Sequence, residues 1–264
     1  MKKLYFLHIP KTAGKFVSTG ISKSLPNHSS LLYISTHFPN NREFLSDKIY
    51  ISAHAGMYIP ETVEDVDVAT IVRNPIDARA SYFNFIYNMY LDKREEYLNL
   101  NTMREKFLYY LFEDNNFLSH NNYQTRFLCN SSNSKSWDRK EYFKDSNSLL
   151  KKYHDGQAFD WFVDDDKTSI ELAISNLSNF KIKNTVERMD LFLENVSSWF
   201  MENHGLIVEF NKNDRVNESL SKDGNNFYSS KDLIKMLSKE EIEKLLNLNS
   251  MDYSVYNFVK SMES

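Results

Sequence analysis

Turn-forming residues are distributed very unevenly along this chain of 264 residues. All five prolines lie within the first 75 residues, and the whole chain contains only six glycines, where average usage gives roughly 18. Because tight β-turns depend on glycine and proline, the sequence argues against an all-β protein. The long proline-free remainder favours helices, and each early glycine or proline indicates a turn in the first part of the chain.

Composition excludes several other classes of protein. The single cysteine, Cys129, cannot form an internal disulfide, which excludes a disulfide framework. The 32 basic residues are balanced by 36 acidic ones, so there is no reason to expect nucleic-acid binding. No apolar run reaches the roughly 18 residues of a membrane helix, and Lys11 and Lys15 interrupt the first apolar run too early for a signal peptide. We therefore expect a cytoplasmic protein without a membrane partner.

Hydrophobic patterning predicts alternating strands and helices in one domain spanning residues 1–264. Apolar, β-branched runs predict strands at 3–9, 31–34, 49–53, 67–72, 180–186 and 206–209. Helical periodicity predicts helices at 15–25, 76–90, 103–118, 123–129, 140–153, 169–178, 190–203, 231–237, 239–246 and 251–262. The polar stretches 130–148 and 221–230 are predicted to be exposed loops. This alternation predicts an α/β domain with a central, mainly parallel sheet, in which residues 91–155 form a helical insertion.

The first chemical motif follows the first predicted strand, where His8–Lys15 reads H-I-P-K-T-A-G-K. A turn of this kind places backbone N–H groups at a helix N-terminus, which suits an anion. Lys11 adds a positive charge and Thr12 a hydroxyl donor. The motif is not a Walker A loop, because His8 stands at its first glycine position and Phe16 follows Lys15. The alternative interpretation is an ordinary strand-to-helix turn with solvated lysines.

The second motif follows a predicted buried strand and begins R-N-P-I-D-A-R-A-S at Arg73. Arg73 is expected at the carboxyl edge of the sheet, where ligands of open α/β sheets bind. Ser81 lies two helical turns later, and the arginine fork suits a phosphate monoester. The alternative is a helix-capping arginine with a surface serine.

Together the two motifs resemble those of sulfotransferases that use 3′-phosphoadenosine 5′-phosphosulfate (PAPS). The branch they resemble most is the carbohydrate sulfotransferases related to the heparan sulfate 2-O and 6-O enzymes. Four further segments are similar to that branch: I-S-A-H-A-G at 51–56, N-N-Y-Q-T-R-F-L-C at 121–129, V-E-R-M-D-L-F-L-E at 186–194 and D-Y-S-V-Y at 252–256.

The resemblance implies a P-loop-like, three-layer fold and in-line transfer of a sulfuryl group from PAPS to a hydroxyl of a carbohydrate or small metabolite. PAP is then the product, and no metal is required. Lys11 would stabilise charge on the leaving oxygen, and His54 would be the general base. Arg73 and Ser81 would hold the 3′-phosphate. The 5′-phosphosulfate would be held, largely by backbone N–H groups, at Lys11, Thr12, Ala13, Gly14, Lys15 and Phe16.

Several assignments keep alternatives. The rivals of His54 as the base are His8, His37 and His120, of which His120, beside the N-x-Q-T segment, ranks first. Gln124 and Arg126 are predicted either to contact the acceptor or to be structural, and Arg126 would suit an anionic acceptor.

The chain also departs from the resembled pattern. Lys15 and Phe16 replace the small hydroxylated residues that usually continue the phosphosulfate loop. Lys212, Arg215 and Ser219 are candidates for a loop that covers the cofactor, with a solvated polar loop as the alternative. Two other functions stay open: a nucleotide-dependent small-molecule kinase of P-loop type, and a non-catalytic nucleotide-binding module. The sequence leaves the acceptor and the oligomeric state undecided.

Overall fold

The computed structural model describes residues 1–32, 45, 47–54, 56–89, 91–118, 121–129, 169–211, 220–223 and 226–263. The helix predicted at 140–153 and the loop predicted at 130–148 lie outside these residues. So do His37, His120, Lys212, Arg215 and Ser219.

Five parallel strands form the central sheet: β1 (Lys3–Leu7), β2 (Ser30–Leu32), β3 (Tyr50–Ala53), β4 (Val66–Val72) and β5 (Ile182–Thr185), in the order β2-β3-β1-β4-β5. The central strand β1 pairs with both β3 and β4, so that Leu7 lies opposite Ala53 on one side and Thr70 on the other. All five residues of β1 are buried, as expected for a parallel strand covered on both faces. The α/β class and the parallel sheet predicted from the sequence are confirmed.

Helices cover both faces of this sheet. Successive side chains of a strand point to opposite faces, so Tyr5 and Leu7 join one apolar cluster, while Leu4 and Phe6 join a second. The longer helices of the described residues are α1 (Gly14–Ser24), α3 (Pro75–Met89), α5 (Met103–Phe112), α8 (Ile170–Asn179), α9 (Met189–His204), α11 (Lys239–Leu248) and α12 (Ser250–Ser261). Shorter ones are α2 (Tyr58–Thr62), α4 (Glu95–Leu98), α6 (Asn115–Leu118), α7 (Tyr123–Cys129) and α10 (Ser230–Lys235).

The two clusters make the domain three layers thick. Residues of α7, α8 and α12 pack in the cluster on one face of the sheet, and residues of α1 and α9 pack in the cluster on the other. A third cluster joins α3 to α4, α5, α6, α10 and α11. The helix α3 therefore links the sheet to a separate helical layer beside it.

Three sequence predictions need correction. The single helix predicted at 103–118 is two helices, because the Asp114 carboxylate accepts a hydrogen bond from the Asn116 amide at 3.0 Å and starts α6. Residues 206–209 form no strand in the described structure; the Ser197 hydroxyl instead donates to the Val208 carbonyl at 2.9 Å. The loop predicted at 221–230 contains an antiparallel hairpin of β6 (Ser221–Asp223) and β7 (Asn226–Tyr228). None of the helices in the described ranges is long and apolar enough to cross a membrane.

Candidate functional site

The candidate site lies at the carboxyl edge of the sheet, between β1 and β4. The connection that follows β1 leads through α1 to β2 on one side of the sheet, whereas the chain after β4 leads to β5 on the other side. Diverging connections open a crevice at the ends of adjacent strands, where ligands of α/β sheets bind. The two sequence motifs begin at this crevice, because the first directly follows Leu7 at the end of β1 and the second directly follows Val72 at the end of β4.

The loop between β1 and α1 turns through two residues with left-handed backbone. Lys11 and Ala13 both have φ of 65°, a conformation that costs a non-glycine residue free energy. The Thr12 side chain is fully buried, and its hydroxyl donates to the Ile9 carbonyl at 2.8 Å. This hydroxyl therefore closes the loop, and any contact of Thr12 with an anion falls to its backbone amide. Among the described residues, the N-cap residue Ala13 makes no side-chain cap hydrogen bond, so the N–H groups at the very start of α1, before that of Phe16, are available to a ligand.

Gly14 begins α1 under a steric constraint set by His8. A Cβ atom at Gly14 would lie 2.0 Å from Cδ2 of the His8 ring, so only glycine fits there. The His8 ring is buried and stacks on Phe6, with 5.7 Å between ring centroids. Burial, followed by the charges of His54 and Lys11, holds the pKa of His8 well below its usual value. His8 is therefore neutral at pH 7 and forms one wall of the loop.

Lys11 and Arg73 bring two positive charges together in the crevice. The Arg73 guanidinium donates to the Lys11 carbonyl at 3.1 Å, and the Lys11 ammonium lies 4.6 Å from the centroid of the Phe85 ring. Burial first, and Arg73 second, lower the pKa of Lys11 to about 8. Within the described part of the chain, neither cation forms an ion pair with a carboxylate. Two adjacent cations, of which Arg73 is balanced only by the nearby Asp77 without a direct ion pair among the described residues, form a site suited to an anion.

Ser81 lies on the face of α3 that meets Lys11. Phe85, which the Lys11 ammonium overlies, comes four residues after Ser81, and residues four apart share one face of a helix. Asp77, one turn before Ser81, is half-buried; burial raises its pKa, and the nearby Arg73 charge opposes that rise. The structure thus places Arg73 just before α3, and Ser81 midway along the helix on the face that Lys11 overlies at Phe85.

His54 follows β3 directly and reaches the same loop. Its ring centroid lies 4.3 Å from that of His8, and its Nδ1 forms a hydrogen bond with the His8 carbonyl oxygen. Because a carbonyl oxygen can only accept, this bond places the imidazole hydrogen on Nδ1 and leaves Nε2 as the acceptor. Burial lowers the pKa of His54 to about 4, although the bond to His8 favours the protonated form. At pH 7 His54 is neutral, in the tautomer that a general base requires.

Gln124 lies inside the protein and contacts the backbone of Arg73. Its side-chain amide donates to the Arg73 carbonyl at 2.9 Å and accepts from the Arg73 amide at 2.9 Å. The side chain is fully buried. Of the two alternatives predicted for Gln124, contact with the acceptor or a structural role, these bonds favour the structural one, because both polar atoms of the side-chain amide are engaged within the fold.

A buried carboxylate from the end of the chain supports Gln124. The Asp252 carboxylate, in α12, accepts a hydrogen bond from the backbone N–H of Gln124 at 3.2 Å. It also accepts bonds from the backbone N–H and the side-chain hydroxyl of Thr125, at 2.7 Å each. The adjacent Tyr123 hydroxyl donates to the Pro10 carbonyl at 3.1 Å. The contact between the segments of Tyr123 and Asp252 was not predicted from the sequence. A polar residue in an otherwise apolar helix face was the only signal for it.

The remaining predicted residues lie at the margin of the site. Lys15 is exposed in the first turn of α1, while Phe16 packs its ring 6.1 Å from that of Phe210 and donates its amide to Ala13. The Phe16 side chain is thus part of the core. Arg126 acts electrostatically on the buried Asp252, which places it towards α12. His120, the second candidate for the base, lies outside the described residues.

No protein-family model matches the chain, and no curated protein matches it significantly.

Proposed function

We propose that this chain is a sulfotransferase that moves a sulfuryl group from PAPS to a hydroxyl group of a carbohydrate or small-metabolite acceptor. One observation supports the proposal above others: the Arg73 guanidinium meets the Lys11 backbone beside the N-terminus of α1, and neither cation forms an ion pair with a carboxylate of the described residues. A neutral histidine, His54, contacts the same loop. Anion binding and proton removal, the two requirements of sulfuryl transfer to a hydroxyl, are thus available side by side.

The residues present fit a donor with two anionic groups. The Arg73 guanidinium can bind a phosphate with two parallel hydrogen bonds, and the Ser81 hydroxyl, two turns further along on α3, would add a third. The backbone amides of residues 12–15 and the Lys11 ammonium would bind the phosphosulfate end. The position of this loop after the central strand, in a sheet covered on both faces, supports a P-loop-like domain.

The chemistry assigned to the protein is positioning, charge stabilisation and proton removal. The bound donor supplies an activated sulfuryl group. His54 Nε2 takes the proton of the acceptor hydroxyl while the bond from that oxygen to sulfur forms. Lys11 stabilises the negative charge that develops on the bridging oxygen as its bond to sulfur breaks. A pKa of about 4 makes the free His54 a weak base, but a nearby dianion stabilises imidazolium and raises this pKa in the complex.

Binding and transfer measurements test the proposal directly. PAP should bind in calorimetry, and PAPS should serve as donor with a panel of hydroxylated acceptors. Arg73→Ala should weaken PAP binding by about 2–3 kcal/mol, as expected when a charge-assisted contact is lost. Arg104→Ala is the matched control, because Arg104 is exposed and pairs with Glu241 at 2.8 Å, away from the crevice.

Two results would overturn the proposal in favour of its alternatives. Phosphate transfer from ATP with magnesium, without sulfate transfer from PAPS, would indicate a small-molecule kinase. Tight binding of PAP without transfer to any acceptor of the panel would indicate a nucleotide-binding module. Unchanged affinity of the Arg73→Ala variant for PAP would remove Arg73 from the site.

A further inference from the structure

We infer that Gln124 is a positioning residue that sets the anion affinity of the site by holding the backbone of Arg73. The identity of the anion rests on the proposed function, whereas the contact itself does not. Strand β4 ends at Val72, where Thr185 of β5 is the last strand partner. Beyond that point the side-chain amide of Gln124 replaces a neighbouring strand as the hydrogen-bond partner of the backbone, because it bonds both the N–H and the C=O of Arg73.

This arrangement restricts where the Arg73 side chain can go. With both peptide groups of one residue held, its backbone has little freedom to rotate, and the direction of its side chain is fixed accordingly. The guanidinium then reaches the Lys11 carbonyl at 3.1 Å, which ties it to the anion-binding loop. A preorganised arginine loses less conformational entropy when a ligand binds.

The position of Gln124 is in turn determined by the C-terminal helix. The carboxylate of Asp252 accepts hydrogen bonds from the backbone N–H groups of Gln124 and Thr125 at the start of α7. Asp252 lies 127 residues away in sequence from Thr125, and both of these side chains are buried. The order of support is therefore Asp252, then Gln124, then Arg73, and only Arg73 faces the anion.

A double-mutant cycle distinguishes positioning from general structural support. Gln124→Met keeps the length of the side chain and removes both bonds to Arg73. In the wild-type background we expect the Kd of PAP and the KM of PAPS to rise at least tenfold, with kcat changed less than threefold, since a ground-state contact is lost. In the Arg73→Ala background the same substitution should change the Kd of PAP less than twofold. Equal losses in both backgrounds would overturn the inference.

Two further variants distinguish a specific loss of PAP affinity from a general loss of stability. Asp252→Asn weakens the support of Gln124 without touching the bonds to Arg73, and we expect an intermediate rise in Kd for PAP. Asn176→Ala is the matched control, because it removes a side-chain amide bond to the Leu128 carbonyl at the other end of α7. This control should lower the melting temperature but leave the affinity for PAP unchanged. An equal loss of affinity in the control would contradict a specific role of Gln124.

Inorganic pyrophosphate, titrated in parallel, separates this inference from the proposed function. If pyrophosphate binds through Arg73 but PAP does not, the proposed donor is wrong, and the cycle is completed with pyrophosphate. If PAP binds but Gln124→Met leaves its affinity unchanged, the positioning role is wrong and the proposed function stands. If neither anion binds, both are overturned, because Arg73 then holds no anion.

Discussion

The charge of Lys11 should make anion binding sensitive to pH in a range where an ordinary lysine stays protonated. Burial and the neighbouring Arg73 lower the pKa of Lys11 from 10.5 to about 8. At that pKa the side chain is about nine-tenths protonated at pH 7 and about one-tenth at pH 9. The second pKa of a phosphate ester lies near 6, so the charge of PAP hardly changes over this interval.

The sign of the effect follows from the direction of the shift. An anion binds the protonated form of Lys11 better, so binding raises the lysine pKa and takes up a proton above pH 7. If only the protonated form binds well, the Kd of PAP should rise about tenfold between pH 7 and pH 9, which is about 1.4 kcal/mol. A lysine with its ordinary pKa would give almost no change over the same range.

Calorimetric titration of PAP at pH 7, 8 and 9, at constant ionic strength, measures this rise. Buffers with different ionisation enthalpies report the proton uptake. Lys11→Arg is the matched control, because arginine stays charged throughout and its Kd should vary less than twofold. A wild-type Kd as flat as that of the arginine variant would refute the lowered pKa. An equal rise in both proteins would place the titrating group elsewhere.

The remaining predictions concern His54 and Gly14. His54→Ala should lower kcat by about 10²–10⁴-fold, the usual contribution of a general base, while His204→Ala should leave it unchanged; a wild-type rate in His54→Ala would remove the assigned role. Because burial lowers the pKa of His54 to about 4, the His54 ring should give the NMR signals of a neutral imidazole from pH 7 to about pH 5 in the protein without donor. The free energy of unfolding should fall over the same interval, since the unfolded state takes up its protons first; a His54 ring that titrates near pH 6.5 would contradict the shift. Gly14→Ala should destabilise the protein by about 1–3 kcal/mol in urea denaturation, because its Cβ would overlap the His8 ring. Gly205→Asn is the control, since a Cβ added at Gly205 would lie more than 4 Å from the other described residues beyond its chain neighbours and asparagine tolerates its left-handed backbone; equal losses would show that the overlap is relieved.

Local patterns predicted most elements of the fold within a few residues. The apolar runs at 3–9 and 67–72 became Lys3–Leu7 and Val66–Val72, because a strand covered on both faces needs an apolar side chain at nearly every position. The helix predicted at 123–129 was confirmed with the same bounds. The pairing of β6 with β7 was not predicted, because most of their residues are polar and the buried Ser221 bonds to Asn84 of the distant helix α3.

The site residues could be predicted from the sequence where their role depends on neighbours in sequence. They could not be predicted where their role depends on tertiary contacts. Lys11 and Arg73 each follow an apolar strand, so parallel pairing alone predicts that they meet at one edge of the sheet. Gln124 carries no such information, because an amide suits an acceptor hydroxyl as well as a backbone peptide group. Only the packing of α7 against α12 determines which partner it takes.

The same packing explains how the chain tolerates two adjacent cations. Lowering the pKa of Lys11 from 10.5 to about 8 means that, at pH 7, its charge favours the unfolded state, by about 1.4 kcal/mol for each pKa unit that burial removes. The left-handed backbone of Lys11 and Ala13 adds a further cost. The bonds from Gln124 and Asp252, together with the three apolar clusters, offset this cost at a distance from the crevice. Residues that bind no ligand thus keep the anion site formed before an anion arrives, and weakening them is expected to reduce affinity without removing any group that contacts the anion.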